Sequence, residues 1–311
     1  MRVKGVDIKA VFGCVPANAV DNLADLTPLV GTEKAEAIVH ATGFGTRRIV
    51  SAGTDVIDLA LPAAKCALEG VAADEVGGII AVSFSNRDRF PALATRLQHA
   101  LGLPNGIAAY DLSMACSGWI YGLFAAAQLV NASGKMVLLV DGDVQSAWID
   151  RTDATTLAVM GDGASAALLA PGEGEWEFSF YTDGGGGDTL KCRDAISMDG
   201  FGVFRFVAGP VRRFLDGFIK NSSVLAGREV AFIPHQANMY MVRQLADALG
   251  LKGHVVGSGE RYANTGSCSA ALSLAAEDAQ GAVLIAGFGA GLSAGAAATT
   301  LCSYRKGVVE V

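Results

Sequence analysis

The same order of elements runs through this chain twice. In the first half a short apolar run, Gly78 to Ser83, ends at the polar turn Phe84-Ser85-Asn86 before an amphipathic stretch. Tyr110 to Gly118 then leads into a long apolar helix, and two apolar runs, Val137 to Asp141 and Ala164 to Ala170, close the half. In the second half Val230-Ala231-Phe232-Ile233 leads into Pro234-His235-Gln236-Ala237-Asn238 and a helix. Arg261 to Ser267 enters another helix, and Ala282 to Ala286 with Gly295 to Cys302 close it. Short continuous apolar runs separated by longer amphipathic ones are the pattern of strands buried under helices on both faces. The expected class is α/β, built from two duplicated halves. A break between Pro171 and Trp176 puts them at 1–172 and 173–311. Helices are expected over 55–69, 91–101, 118–129, 211–220 and 239–249.

Composition narrows the function classes. With 51% hydrophobic and 18% charged residues in 311, the chain buries a large core and is not a disordered polymer. A formal charge of −7 argues against nucleic acid as a partner, because phosphate neutralisation needs basic surface. The six cysteines (14, 66, 116, 192, 268 and 302) contain no C-x-x-C pair, so neither a zinc site nor a disulfide framework is expected. No metal is called for. The first residues lack a signal-peptide apolar stretch. Gly281 to Cys302 is free of charge, but Gly287-Phe288-Gly289-Ala290-Gly291 breaks it. Two buried strands joined by a glycine turn fit it better than a membrane span. The expectation is a reduced, cytoplasmic protein with no membrane partner.

Three strand-to-helix turns carry residues with chemistry. Cys116 sits where an apolar helix begins, and the positive end of the helix dipole lowers the pKa of a thiol there. Position alone leaves it either a nucleophile or a buried structural cysteine, the expected fate of the other five. His235 follows an apolar strand, where α/β proteins gather catalytic groups. Asn264 occupies a third such turn, as a functional amide or as a cap. Together the trio has a definite chemistry. The thiolate attacks a thioester and holds the acyl group, while His and Asn donate hydrogen bonds to the carbonyl oxygen of a second thioester as it loses CO₂. Backbone N–H groups of Cys116 and of Ala290 in the glycine turn are candidates for the acyl oxyanion hole. That turn is not a nucleotide loop, since Leu292 stands where G-x-G-x-x-G needs its last glycine.

With these residues in place, the sequence resembles the thiolase superfamily, and within it the β-ketoacyl-acyl-carrier-protein synthase III group. The motifs are Thr42-Gly43-Phe44-Gly45-Thr46-Arg47-Arg48-Ile49, Ala115-Cys116-Ser117-Gly118, Gly161-Asp162-Gly163-Ala164, Pro234-His235-Gln236-Ala237-Asn238 and Tyr262-Ala263-Asn264-Thr265. The resemblance implies a five-layered αβαβα fold and a homodimer. It implies Cys116 as acyl acceptor, with His235 and Asn264 serving decarboxylation and condensation with malonyl-carrier protein. It implies no cofactor beyond acyl-coenzyme A or acyl-carrier-protein thioesters. Phe90 matches a phenylalanine that lines the acyl pocket, though a core aromatic before Pro91 reads equally well. The departures concern the substrate. Ala37, Gly45 and Ala154 stand where such enzymes carry a tryptophan and two arginines that hold coenzyme A. A methyl group or a hydrogen neither stacks on adenine nor pairs with phosphate. A non-standard acyl donor is therefore expected, with Arg47, Arg48 or Arg151 as possible substitutes for the lost grip. Arg205, Arg212 and Arg213 offer a basic face for an acidic carrier protein, or simply a solvated helix. Acyl transfer to a non-carbon nucleophile is the alternative activity, and a degenerate partner subunit the non-enzymatic one.

Overall fold

The computed structural model describes all 311 residues. The chain opens with β1 (Arg2–Val15), β2 (Ala19–Asp21), α1 (Asn22–Val30), α2 (Thr32–Thr42) and β3 (Thr46–Arg48). A first series follows: α3 (Val56–Ala67), β4 (Val76–Val82), α4 (Leu93–Ala100), β5 (Ala108–Leu112), α5 (Gly118–Ser133) and β6 (Met136–Asp143). The single turn α6 (Ala154–Leu157) precedes the long β7 (Gly163–Thr182). A small ribbon, β8 (Leu190–Cys192) and β9 (Ile196–Met198), then leads to α7 (Gly200–Phe206) and α8 (Arg212–Asn221). The second series is β10 (Val230–Pro234), α9 (Met239–Ala248), α10 (Gly259–Tyr262), α11 (Ser269–Ala276), β11 (Gly281–Gly289), β12 (Ser293–Leu301) and β13 (Arg305–Glu310).

Alternation along the strands sets the layers. On β4, Ile80 and Val82 join one core with side chains of α5 and α11, while Ile79 and Ala81 join another with α3 and α4. On β11, Val283 and Ile285 face the same α5–α11 core, and Leu284 and Ala286 face α7, α8 and α9. Helices α5 and α11 thus lie between two sheet limbs, with further helices outside each limb. This is the αβαβα arrangement expected from the resemblance. Both strand faces are covered, which is why these strands read as unbroken apolar runs. Helix α5 is buried nearly all round for the same reason. At Gly122 an added Cβ lies 2.7 Å from Leu139 Cδ1 and 2.8 Å from Val82 Cγ2, so only glycine allows this close seat on the sheet.

The two limbs meet in β7. Residues 163–169 pair antiparallel with β6, and residues 177–182 pair antiparallel with β12. β4 lies between parallel β5 and β6, and β11 between parallel β10 and antiparallel β12. The stretch from Pro171 to Trp176, where the sequence suggests a break, runs inside this one strand. Pro171, Gly172 and Glu173 are exposed there, which gives the sequence its look of a junction. β1 pairs along β7 from Glu177 to Ala164, and the Trp176 Nε1 donates to the Val6 carbonyl at 2.9 Å.

The expected helices and most expected strands are present within a few residues of their predicted ends; the exception is the strand expected over Ala164 to Ala170, which runs on as β7 to Thr182. β5 does not read as a strand in the sequence, because Asp111 gives the segment the look of a turn. Its carboxylate accepts the Leu93 and Ala94 N–H groups at 2.7 and 2.8 Å, capping α4. Gly281 to Cys302 forms β11, a tight turn and β12, and no helix is long and apolar enough to cross a membrane.

Candidate active site

Cys116 lies in a one-turn helix, Ala115–Ser117, between β5 and α5. Ala115 has φ +44°, a left-handed value that costs a non-glycine residue about 1–3 kcal/mol. Bent this way, the chain presents the thiol to a cavity of about 400 Å³. Gly289, at the end of β11, closes the opposite side. A Cβ there falls 2.7 Å from Cys116 Cβ and 2.8 Å from Sγ. Ser117 Oγ and Ser293 Oγ meet at 2.8 Å, and Ser293 Oγ donates to the Ala290 carbonyl at 2.7 Å, tying the glycine turn to the cysteine. Backbone hydrogen bonding from Ala290 and Cys116 favours the thiolate form of the sulfur.

Burial nonetheless pushes the Cys116 thiol up to about 11, with the buried Asp143 and Asp141 adding to the rise. The lowering expected from the helix start is reversed. Desolvation of a thiolate outweighs the two N–H groups. The resting cysteine is a thiol.

His235 closes β10, and its N–H donates to the Ala286 carbonyl of β11 at 2.7 Å. Its ring stands edge-on to Phe288 at 5.6 Å. The Nδ1 is 2.8 Å from Ser269 Oγ, which also accepts the Gln236 N–H at 3.1 Å. With the serine hydroxyl donating to Nδ1, the ring proton sits on Nε2. Burial pulls the His235 pKa down to about 4, although a hydrogen bond with the Gly266 backbone opposes the shift. The imidazole is neutral and an Nε2–H donor.

That shift has a consequence for stability. Between pH 6.5 and 4 the unfolded chain binds a proton at this histidine and the folded chain does not, so stability is lost as pH falls through that window. The full effect is roughly 3 kcal/mol. A His235→Asn variant is expected to have a flatter dependence of its denaturation midpoint on pH between 6.5 and 4. An unchanged slope contradicts the assignment.

Asn264 sits after Ala263, whose φ of +58° marks a second strained turn. Its Oδ1 accepts the Gly266 N–H at 2.9 Å, and since a backbone N–H only donates, the amide orientation is fixed. Nδ2 donates to the Ala237 carbonyl at 3.3 Å and keeps one proton spare. Gln145 Nε2 holds the Asn264 and Gly161 carbonyls, each at 2.7 Å. The Cys, His and Asn turns therefore converge around the end of β11, but only Cys116 lines the cavity. His235 and Asn264 are buried behind it, at 2% and 5% exposure.

Other motif residues hold the site together. Asn238 caps α9 through the Met241 N–H at 2.7 Å, and Gln236 bridges the Pro234 carbonyl and the Gly259 N–H. Asp162 accepts Val50 N–H, Ser146 N–H and Ser146 Oγ. Asp143, unremarked in the sequence, gathers Ser83 Oγ, Phe84 N–H, and the N–H and Oγ of Ser85 on one oxygen. Two acids at the end of a buried strand, Asp141 and Asp143, were the signal for it. Ser269 and Gln145 carried none, since hydroxyls and amides are common everywhere.

The outer candidates lie elsewhere. Phe90 is 87% exposed and does not line the cavity of its own chain. Arg205, Arg212 and Arg213 are exposed on α7 and α8, outside the cavity, with Arg212 at a separate groove beside Phe204 and Met241. Arg47 is 1% exposed, bonded to Asn22 and Asp25. Arg48 is held by the Pro16 and Ala17 carbonyls and Glu310, and Arg151 pairs with Asp25 at 2.9 Å.

Comparison with known proteins gives this geometry its relatives. A family model described as 3-oxoacyl-[acyl-carrier-protein] synthase III matches residues 110–184, and that family's C-terminal model matches residues 225–301. The β-ketoacyl-[acyl-carrier-protein] synthase III of Geobacillus kaustophilus is 34% identical, covering 94% of this chain and 98% of that one. A 3-oxoacyl-(acyl-carrier-protein) synthase structure from Burkholderia xenovorans superposes with a TM-score of 0.94 at 27% identity, covering 100% of this chain and 98% of that one. The priming β-ketosynthase of a polyketide biosynthetic pathway gives 0.87 at 29% identity, covering 96% and 97%. The first model spans the cysteine turn, the second spans the histidine and asparagine turns, and the relatives run almost end to end. By these matches and its αβαβα fold, the chain belongs to the 3-oxoacyl-[acyl-carrier-protein] synthase III family of acyltransferases.

Proposed function

We propose that this enzyme joins an acyl group held on Cys116 to the carbon unit left when a malonyl thioester loses CO₂. The observation that carries this reading is a buried neutral imidazole and an oriented carboxamide set beside a thiol that two backbone N–H groups address. In the first half-reaction Sγ bonds to the acyl carbon, the donor's C–S bond breaks, and the departing thiolate takes the proton that Sγ gave up. The N–H groups of Cys116 and Ala290 stabilise the tetrahedral oxyanion. In the second, the malonyl carboxylate leaves as CO₂ and its electron pair forms an enolate. His235 Nε2–H and Asn264 Nδ2–H donate to that enolate oxygen. The enolate carbon attacks the acyl carbon, and Sγ leaves and takes up one proton. Each half of the chain, 1–172 and 173–311, contributes part of this set across β7.

The acyl donor is a carrier-bound or otherwise specialised thioester rather than free acetyl-coenzyme A. Arg47, Arg48 and Arg151 already have protein partners, so none stands ready to replace the grip missing at Ala37, Gly45 and Ala154. A relative whose name places it at the priming step of a polyketide pathway supports the same reading. The extender arrives on an acidic carrier protein, for which exposed Arg205, Arg212 and Arg213 are the docking face, and the working form is a homodimer. The test supplies malonyl-carrier protein with acyl-carrier proteins or acetyl-coenzyme A and follows CO₂ release and Cys116 mass. Carrier-primed CO₂ release with a product two carbons longer is expected. Acylation without CO₂ release points to transfer onto a non-carbon nucleophile, and rapid acylation from micromolar acetyl-coenzyme A removes the donor assignment.

A further inference from the structure

Two acids that the proposed chemistry leaves unused lie beside its centre. Asp141 and Asp143 end β6, and both are completely buried. Alternation puts them about 7 Å apart on the strand face that carries Val137 and Leu139 into the α5–α11 core. Asp141 Oδ1 accepts the Ser267 hydroxyl at 2.6 Å, in the turn before α11. An added Cβ at Gly118, where α5 starts, lies 3.5 Å from Ser267 Cβ. Asp143 Oδ1 takes the four donors of Ser83, Phe84 and Ser85, and its Oδ2 lies 3.0 Å from where a Cβ on Gly266 would stand. The pair therefore sits between the starts of the two central helices, against the turn that carries Asn264. Phe84 and Gln145, beside Asp143, line the cavity with Cys116, whereas neither acid lines it.

The charge balance there is uneven. Each acid has a buried Oδ2 with no partner, and no ion pair of the protein includes either one. Two dry carboxyl groups on one strand face, with no cation between them, do not both ionise. Four donors place the charge on Asp143, and a single donor leaves Asp141 the weaker acid. Burial pushes Asp143 up to about 6 and Asp141 well above the usual carboxylate range, the second rise aided by Asp143 itself. Negative charge on Asp143 opposes the thiolate of Cys116, and it reaches Cys268 and Cys192 as well. The other ionisable neighbours are already settled: Asp162 is held by Val50 and Ser146, and His235 is neutral.

We propose that Asp141 and Asp143 hold one proton between them, on Asp141, and that the single negative charge left on Asp143 keeps resting Cys116 a thiol. Both act through Cys116 and are positioning residues. A thiol resists stray alkylation and oxidation, and surrenders its proton only as the donor's thiolate departs to take it. The catalytic use of this device rests on the reading of Cys116 as acyl acceptor; the charge state of the pair does not.

The test alkylates the full chain with iodoacetamide at pH 8 and follows Cys116 by peptide mass, with exposed Cys302 as the internal reference. The Asp141→Asn/Asp143→Asn variant, which removes the charge, should react about tenfold faster at Cys116 and no faster at Cys302. Asp141→Asn alone should stay within twofold, because a protonated acid and an amide are both neutral. Should the double variant fold poorly, Asp143→Asn alone should give a several-fold gain. In the wild type, carbon-13 NMR with labelled aspartate should show one carboxyl still protonated at pH 8, and that signal should vanish in Asp141→Asn. A several-fold gain in Asp141→Asn means that both acids were ionised and overturns the shared proton. No gain in either variant that lacks Asp143, or no protonated carboxyl in the wild type, overturns the proposal as well. Acylation by no thioester, with the alkylation pattern intact, removes the acyl-acceptor reading and leaves the charge assignment standing.

Discussion

Replacing His235 or Asn264 with alanine is expected to slow CO₂ release from a malonyl thioester by about 10²–10³-fold each. Each change deletes one hydrogen-bond donor aimed at charge that appears only as the enolate forms. The donors are effective because both are fixed before the reaction begins. His235 is held by Ser269 on one ring nitrogen and kept neutral by burial, while Asn264 is held through both ends of its amide. No reorganisation is then needed in the transition state. The double variant should lose much less than the product of the single losses, since the two donors serve one oxyanion. Asn264→Asp is expected to be at least as damaging as the alanine change, because it puts acceptor oxygens where a donor is needed. The measurement is labelled CO₂ release at saturating malonyl thioester, with the acyl adduct on Cys116 weighed in parallel. The adduct should still form. Losses below threefold in both single variants would falsify the assigned roles.

Gly289→Ala is expected to slow acylation of Cys116 by about 100-fold or more. The new methyl group meets Cys116 Cβ at 2.7 Å and Sγ at 2.8 Å, distances that carbon and sulfur do not tolerate. Gly289 also has φ +155°, so the substitution strains the end of β11. The thiol must rotate or the strand must shift, and either moves Sγ off the line of attack. Overpacking of this kind costs about 1–3 kcal/mol in stability, which a thermal melt reads separately. The kinetic loss is checked by the rate of mass gain with an acyl thioester and by the rate of alkylation with a small haloacetamide. Acylation at the wild-type rate, in a folded variant, contradicts the placement of Gly289 against the thiol.

Much of the fold was legible because buried parallel strands leave no polar residues to interrupt their apolar runs. β4, β6, β10 and β11 stand out for that reason. β1 was harder to read. It is long, irregular at Gly5 and carries charges on its wet side, so its alternation is broken. The suggested break at 171–176 has a similar origin. A strand that leaves one limb and enters the next is exposed between them, and exposure without a turn looks like a linker.

The candidate site was legible in its residue types. Cysteine, histidine and asparagine at successive strand-to-helix turns narrow the chemistry to thioester exchange and enolate stabilisation. Their electrostatic states were not legible. A helix start lowers a thiol pKa only while the thiolate keeps solvent or enough donors, and at Cys116, half-buried at the cavity wall, desolvation outweighs the two N–H groups. Nor did residue type place Phe90, which stands exposed, or show that Asp141 and Asp143 are buried with an unpartnered oxygen each.

By itself, then, the sequence determined the layered α/β class, the positions of the main strands and helices, and which three turns carry reactive groups. These depend on local patterns of period and polarity, which are written along the chain. Tertiary structure alone decided that β7 joins the two halves, that Gly289 must lack a side chain, that His235 is neutral and Cys116 protonated, and that two acids are buried together without a cation. Each of these depends on atoms far apart in sequence, through desolvation, steric contact and summed charge. Such quantities exist only once the packing brings those atoms together.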